Sequence, residues 1–245
     1  MRFIQSRSTN PGFNLAAEDA LFLRQPEEAL FLYVNNPCVV VGCNQSMLAE
    51  ADVRFCASHG IGLFRRLSGG GAVYHDRGNL NYCFIRNRCP GQSPLGAAFL
   101  GPVVNVLRSM EIPVEVGNRN DLWLPGGFKI SGTASHIGKN RELHHGTLLY
   151  DTDLERLQQA LTPYSPGRIK ASVASVPSPV KNIRRFLYEN GIEALDASSF
   201  FQLFSERMKA FLPELVRMDF SEAEIEEIRQ IGVKTYLSKA WTFKK

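Results

Sequence analysis

Arg65-Arg66-Leu67-Ser68-Gly69-Gly70-Gly71-Ala72-Val73-Tyr74-His75-Asp76 is the stretch from which the rest of this 245-residue chain is best read. Apolar residues over 61–66 and 73–75 read as two strands, and the glycines between them read as the turn that joins them. Three successive glycines let a backbone approach a ligand closely and turn its N–H groups toward an anion. A neighbouring arginine adds a planar cation suited to phosphate or carboxylate. The other reading is a plain hairpin tip, and a Gly-Gly-Gly run alone does not separate the two. Neither the Walker A spacing nor the dinucleotide fingerprint is present, because no Gly-Lys-Ser/Thr and no GxGxxG occurs here.

Working outward, residues 13–24 carry Leu15, Ala16, Ala20 and Leu23 at helical spacing. Residues 29–34 and 38–41 read as buried strands broken by the Asn35-Asn36-Pro37 turn. Asp52 is placed to cap a helix ending near Gly60. Strands are expected at 80–86, near 114, near 122, over 128–137 and over 143–150, with a helix over 94–110. From about 181 the pattern turns helical, over 180–189, 198–211 and 221–231, the last opening on the Ser221/Glu224 capping-box spacing. Strands interleaved with helices predict an α+β domain, an α/β mixed sheet flanked by helices, with a sheet-rich core over about 1–180 and a helical tail over about 181–245.

Three further segments carry chemistry. Lys129, within Phe128-Lys129-Ile130-Ser131-Gly132-Thr133-Ala134, reads either as a positioned, partly desolvated cation or as an ordinary snorkelling lysine. The His144-His145 pair suggests a metal only if further ligands converge, and none is visible, which favours hydrogen bonding or packing. Asn120-Asp121 reads either as a site carboxylate or as a turn.

Composition narrows the class. The net charge is +4 with basic residues scattered, which is weaker than a nucleic-acid footprint but favourable to an acidic protein or a phosphate-bearing ligand. Five cysteines, Cys38, Cys43, Cys56, Cys83 and Cys89, form no CxxC pair and read as reduced thiols. No signal-peptide pattern opens the chain and no apolar run reaches membrane-spanning length, so a cytoplasmic protein with neither nucleic-acid nor membrane partners is expected.

Taken together and in order, these segments resemble the lipoate–protein ligase A family. The matching pieces are Asn14-Leu15-Ala16-Ala17-Glu18-Asp19, the 65–76 stretch, Gly78-Asn79, Arg119-Asn120-Asp121-Leu122, residues 129–134, His144-His145-Gly146-Thr147-Leu148-Leu149 and Ser175-Val176, with a weak continuation to Trp241. The resemblance implies a class II aminoacyl-tRNA synthetase-like, biotin synthetase-like catalytic domain. It implies ATP-dependent activation of lipoate to lipoyl-AMP and transfer of the lipoyl group to a lysine of a lipoyl domain. By the same resemblance Lys129 is the catalytic residue, and Arg66, Gly71, Ala72, Val73, Tyr74 and Lys129 bind ATP and the acyl adenylate. Ser68, Gly69, Gly70, His75, Asn79, Asp121 and His145 are assigned to the supporting loops. The cofactors implied are ATP and Mg²⁺, the latter carried by ATP, with Asp121 as its one protein candidate and no direct fixed metal site. Implied acceptors are the lipoyl domains of 2-oxoacid dehydrogenase E2 subunits and the H protein of glycine cleavage. Val39, Val41, Leu80 and Tyr82 are candidates for the acyl slot, with ordinary core as the competing reading.

Two departures qualify the match. Cys43 stands where the family commonly carries a basic residue. Residues 1–245 also read as one catalytic domain without the accessory domain many ligases carry, so a separate accessory subunit, impaired adenylation and dispensability all stay open. The rivals are an octanoyl or lipoyl transferase acting through a thiol, for which the stretch over 115–128 offers no cysteine, a biotin ligase, and a non-catalytic scaffold for a lipoyl domain.

Overall fold

A computed structural model of the chain describes residues 1–88, 99–163 and 175–244. In chain order the elements are β1 (Arg2–Gln5), α1 (Pro11–Leu23), β2 (Ala29–Val34), β3 (Cys38–Val41), α2 (Met47–Glu50), α3 (Val53–Ser58), β4 (Gly62–Arg65), β5 (Val73–His75) and β6 (Asn79–Asn87). They continue with α4 (Leu100–Ser109), β7 (Glu115–Val116), β8 (Leu122–Leu124), β9 (Phe128–Ser131), β10 (Thr133–Ile137), β11 (Arg141–Leu149) and α5 (Leu154–Ala160). Last come α6 (Ile183–Glu189), α7 (Ala197–Phe211), β12 (Val216–Arg217), α8 (Glu222–Ile231), a π-helical turn (Gly232–Tyr236) and α9 (Lys239–Thr242).

Among the described residues the central sheet has six strands in the order β10-β11-β6-β2-β1-β12, and two three-stranded sheets, β4-β3-β5 and β7-β8-β9, stand beside it. The pairing is mixed. β2–β6, β6–β11 and β10–β11 are antiparallel, whereas β1–β2, β1–β12 and β3–β4 are parallel.

Strand alternation sorts the core into layers. On β2, Leu30 and Leu32 face the side that Phe200, Phe204 and Val103 of the α7 and α4 helices cover. Phe31 and Tyr33 face α1 on the other side. Helix α1 lies close because its inner face is Leu15, Ala16, Ala17 and Ala20, all buried and mostly small. Asn10 caps it by accepting from the Phe13 N–H at 3.1 Å, and Pro11 occupies the first turn, where a missing N–H does no harm.

Most expected elements are present with shifted ends, and four differences carry a physical reason. The expected 128–137 strand is two strands in two sheets. At Gly132 the chain leaves β8 for β11, anchored by Thr147 N donating to the Gly132 carbonyl at 3.1 Å and Gly132 N donating to Thr147 Oγ1 at 3.2 Å. The 181–245 tail is not wholly helical. β12 pairs in parallel with β1, and a two-residue exposed strand leaves no alternation to read. Helix α5 was unforeseen, since only Ala160 of its residues is buried and its periodicity is faint. The expected 94–110 helix is observed as Leu100–Ser109; its first expected residues, like Cys89, fall outside the described residues. Among the described residues no helix is long and apolar enough to cross a membrane.

Candidate active site

The 65–76 stretch folds as the connection between β4 and β5, both of which pair with β3. Its two arginines point into different networks. Arg65, fully buried, donates only to carbonyl oxygens: Gly42, Cys43 and Gln45 on one side, Trp241, Thr242 and Lys244 on the other. Arg66 turns inward to the triple-glycine turn. Its Nε donates to Ser68 Oγ at 2.9 Å, Nη1 to the Val40 carbonyl at 3.1 Å, and Nη2 to the carbonyls of Gly69 and Gly71. Burial depresses the Arg66 pKa to about 10, with Glu18 opposing that shift, so the group stays cationic at neutral pH.

Gly70 sits at φ +84°, a conformation a Cβ would strain, and a side chain there would also press on Arg66 Nη2. At the foot of the turn, a Cβ on Gly42 would lie 2.2 Å from the Gly70 carbonyl oxygen, so only glycine lets that backbone pass. Ser175 closes the far side. Its Oγ accepts from Ala72 N at 2.8 Å and from Gln45 Nε2 at 3.1 Å, and donates to the Glu50 carboxylate.

Lys129, on β9, is partly buried and lies 3.2 Å from Asp121 Oδ2. Asp121 is nearly fully buried. Desolvation raises its pKa, but hydrogen bonds from Trp123 and Lys129 and the Lys129 charge outweigh that and leave it below the usual value. Asn120 does form a turn, at φ +58°, so the Asn120-Asp121 pair serves both as turn and as carboxylate donor to the site.

A cavity of about 330 Å³ brings Lys129 and Asp121 together with Arg66, Gly70, Gly71, Ala72, Val73, His75 and His145. Leu15, Tyr33, Val40 and Val73 give it an apolar wall. A second cavity of about 640 Å³, lined by Glu50, Tyr74, Leu154, Leu157 and Val180 among others, adjoins the first. The two share Ala72, Val73, Lys129, Gly132, Thr147, Ser175 and Val176, so the lysine and the end of the glycine turn stand at their common wall.

Of the other residues expected in the site, Ser68 and Gly69 shape the turn from behind it, and Asn79 is buried at the start of β6, donating to Asn81 Oδ1 at 3.0 Å. Val39, Val41, Leu80 and Tyr82 are buried core residues that line neither cavity, so they are not acyl-slot residues. Alternation is the reason: on β3 the inward neighbour is Val40, and on β6 it is Asn81. Sequence reasoning assigned no site role to Leu15 and Thr147, which lie inside two of the matching segments, and missed Tyr33 and Val40, which lie outside them. His144 and His145 diverge for the same reason. His144 stacks on Phe99 with centroids 5.3 Å apart, and burial lowers its pKa to about 4. His145 faces α1, with Nδ1 2.8 Å from Glu18 Oε2.

Glu18, Cys83 and His145 bring donor atoms within 4.8 Å of one another, but hydrogen bonds explain the cluster. Burial pushes the Cys83 thiol well above its usual pKa, which keeps it protonated and unlike a metal-bound thiolate. His75 is likewise held neutral, its pKa depressed to about 3 chiefly by burial, with the Arg66 guanidinium adding to that.

Residues 10–208 match the family described as the lipoyl protein ligase A/B catalytic domain. Lipoate–protein ligase 1 of Staphylococcus aureus is 36% identical over 248 residues, covering 99% of this chain and 73% of the relative. LplJ, a lipoate–protein ligase of Bacillus subtilis, is 32% identical over 247 residues, with the same shares covered. A crystal structure of lipoate–protein ligase A bound with ATP superposes at TM-score 0.79 with 25% identity, covering 99% of this chain and 98% of that one. The bipartite archaeal ligase of Thermoplasma acidophilum, solved in a study of that system and its E2 lipoyl domain, shares the fold at TM-score 0.82 and 24% identity, covering 99% and 95%. With a family match over most of its length and relatives above 30% identity that align with 99% of it, this chain belongs to the lipoyl protein ligase A/B catalytic-domain family.

Proposed function

We propose that this chain is a lipoate–protein ligase that activates lipoate with ATP and passes the lipoyl group to a lysine of a lipoyl domain. The observation that carries the reading is the convergence of Lys129 with the triple-glycine turn on the wall between two adjoining cavities. An acyl adenylate has an apolar tail and a nucleotide joined at a phosphate. The smaller, apolar-walled cavity suits the tail, the larger suits the nucleotide, and the shared wall suits the phosphate.

Attack of a carboxylate on the α-phosphate brings two anions together. The carboxylate oxygen bonds to phosphorus and pyrophosphate departs. Lys129 is placed to neutralise both partners, and the turn's fixed backbone dipoles add to it without reorganising. Holding the reactants in line across the wall supplies much of the remaining acceleration. In the second half-reaction the acceptor amine attacks the acyl carbonyl and AMP leaves, so no covalent enzyme intermediate is needed. Arg66 contributes mainly through the turn, since its hydrogen bonds are to Ser68 and backbone carbonyls. Mg²⁺ would arrive on the phosphates of ATP and lower their repulsion, with Asp121 as the buried carboxylate able to meet it.

Finer features belong to the same proposal. Lipoyl domains of E2 subunits and the glycine-cleavage H protein are the acceptors. Residues 1–245 act as one catalytic unit. The cytoplasm is the compartment, supported by free thiols at Cys38, Cys43, Cys56 and Cys83. A thiol-dependent transfer has no support, because among the described residues no cysteine lines either cavity.

The test is incubation with lipoate, octanoate or biotin plus ATP and Mg²⁺, with and without a lipoyl domain, followed by mass spectrometry of the acceptor. Lipoyl transfer with pyrophosphate release is the expected outcome. Transfer from an acyl thioester without ATP would replace the ligase reading by the transferase one.

A further inference from the structure

A line of hydrogen bonds behind the tail cavity runs from helix α1 to the glycine turn. Glu18 Oε1 accepts from Tyr33 Oη at 2.9 Å, and Oε2 meets His145 Nδ1 at 2.8 Å. His145 Nε2 in turn meets Ser68 Oγ at 2.7 Å, and Ser68 Oγ accepts from Arg66 Nε at 2.9 Å. Arg66 then grips the carbonyls of Gly69 and Gly71. All five residues are at least nine-tenths buried, so none of these bonds exchanges freely with water.

The proton positions follow from one end. A carboxylate only accepts, and three donors converge on Glu18: the Tyr33 hydroxyl, the His145 Nδ1–H and the Cys83 thiol. Nδ1 therefore donates. In the neutral imidazole Nε2 then accepts from the Ser68 hydroxyl, which leaves a Ser68 lone pair for the Arg66 Nε–H. Each link sets the direction of the next, and the line ends on the carbonyls of the turn that faces the phosphate position. Ser68 is fully buried and lines neither cavity, so it is not a nucleophile despite its Ser–His–Glu geometry.

We infer that Glu18 is a positioning residue for adenylation: through His145 and Ser68 it orients Arg66, and Arg66 holds the triple-glycine turn in its phosphate-binding shape. This rests on the ligase reading. A carboxamide at position 18 keeps the size but presents a donor to His145 or to Tyr33, so the proton order along the line reverses or a bond is lost.

The test uses the full chain with Glu18→Gln and Ser68→Ala, and Tyr236→Phe as a control. Tyr236 donates to Asp19, the neighbour of Glu18 on α1, at 3.4 Å from within the same core, and it lines neither cavity. Two readouts are taken. One is the KM for ATP against the KM for lipoate in pyrophosphate release. The other is the amide hydrogen-exchange rate over residues 69–73. In Glu18→Gln and Ser68→Ala the KM for ATP should rise about tenfold, the scale of losing one buried hydrogen-bond partner. In Ser68→Ala the KM for lipoate should hold, and exchange at 69–73 should quicken in both variants. Tyr236→Phe should change neither readout. Wild-type ATP affinity and wild-type exchange in both variants would overturn the inference. A wild type silent toward lipoate and ATP would fail the ligase reading instead. Exchange at 69–73 would then decide the relay, faster than in Tyr236→Phe supporting it and equal overturning it.

Discussion

Arg65 and Arg66 are adjacent in sequence and opposite in function, and the difference is made by what each guanidinium meets. Nothing about an Arg-Arg pair says which one faces the turn, because the partners are backbone carbonyls. Those holding Arg65 include Trp241, 176 positions away in sequence. The Gly-Gly-Gly run was legible as a turn, whereas the need for glycine at 42 was not, since it arises from contact with Gly70. Two outcomes follow at this scale. Arg66→Ala should raise the KM for ATP about tenfold or more in a pyrophosphate-release assay, because the turn loses the fork that grips its carbonyls. Arg66→Lys should rescue it only in part, since an ammonium cannot bridge two carbonyls and a hydroxyl in one plane. Gly42→Ala should impair adenylation and lower Tm, the added Cβ forcing Gly70 to move; a variant with wild-type activity and Tm would remove the close approach from the account.

At the scale of elements, amphipathic strands were readable and sheet membership was not. Residues 128–137 look like one strand because every side chain in it suits a strand. The switch at Gly132 depends on two bonds to Thr147, distant in sequence. The alternation that puts His145 in the site and His144 in the core was available in principle. It needed the knowledge of which face of β11 meets α1. Helix α8 shows the reverse case, a signal that was fully local. Ser221 Oγ accepts from Glu224 N at 3.3 Å while Glu224 Oε2 accepts from Ser221 N at 2.8 Å, the capping box its spacing foretold. Glu224 also pairs with Arg2 of β1, and the Arg2 hydrogen bond, aided by those from Ser221, depresses its carboxyl from 4.5 to about 2. A depressed carboxylate stabilises the fold above its unfolded pKa and loses that contribution as pH falls. Wild-type stability in urea should therefore decline between pH 4.5 and pH 2 by on the order of 2–3 kcal/mol through this pair. Glu224→Gln should be less stable at neutral pH and lack that part of the decline; an unchanged pH profile would count against the pair as a tie between β1 and α8.

Across the whole molecule, the ends of the chain are built into the same body as the site. β12 extends the central sheet beside β1, and the carbonyls of Trp241, Thr242 and Lys244 close around Arg65, whose other partners lie in the 42–45 loop under the glycine turn. Sequence patterning marked this region only as helical, because carbonyl oxygens leave no trace in residue type. Deleting residues 241–245 should leave a buried guanidinium with half of its acceptors gone. A Tm lower by several degrees and weaker ATP binding are expected. A truncated chain with unchanged Tm would mean the tail is a passenger.

The account depends most on Lys129 and the glycine turn acting on one acyl adenylate, and native mass spectrometry reads that directly. Wild-type protein incubated with lipoate, ATP and Mg²⁺ should retain a noncovalent mass equal to lipoyl-AMP. Lys129→Ala, folded and with an unchanged Tm, should form it about a hundredfold more slowly or not at all. Full adenylate formation in Lys129→Ala, or an adenylate never seen in the wild type, would contradict it.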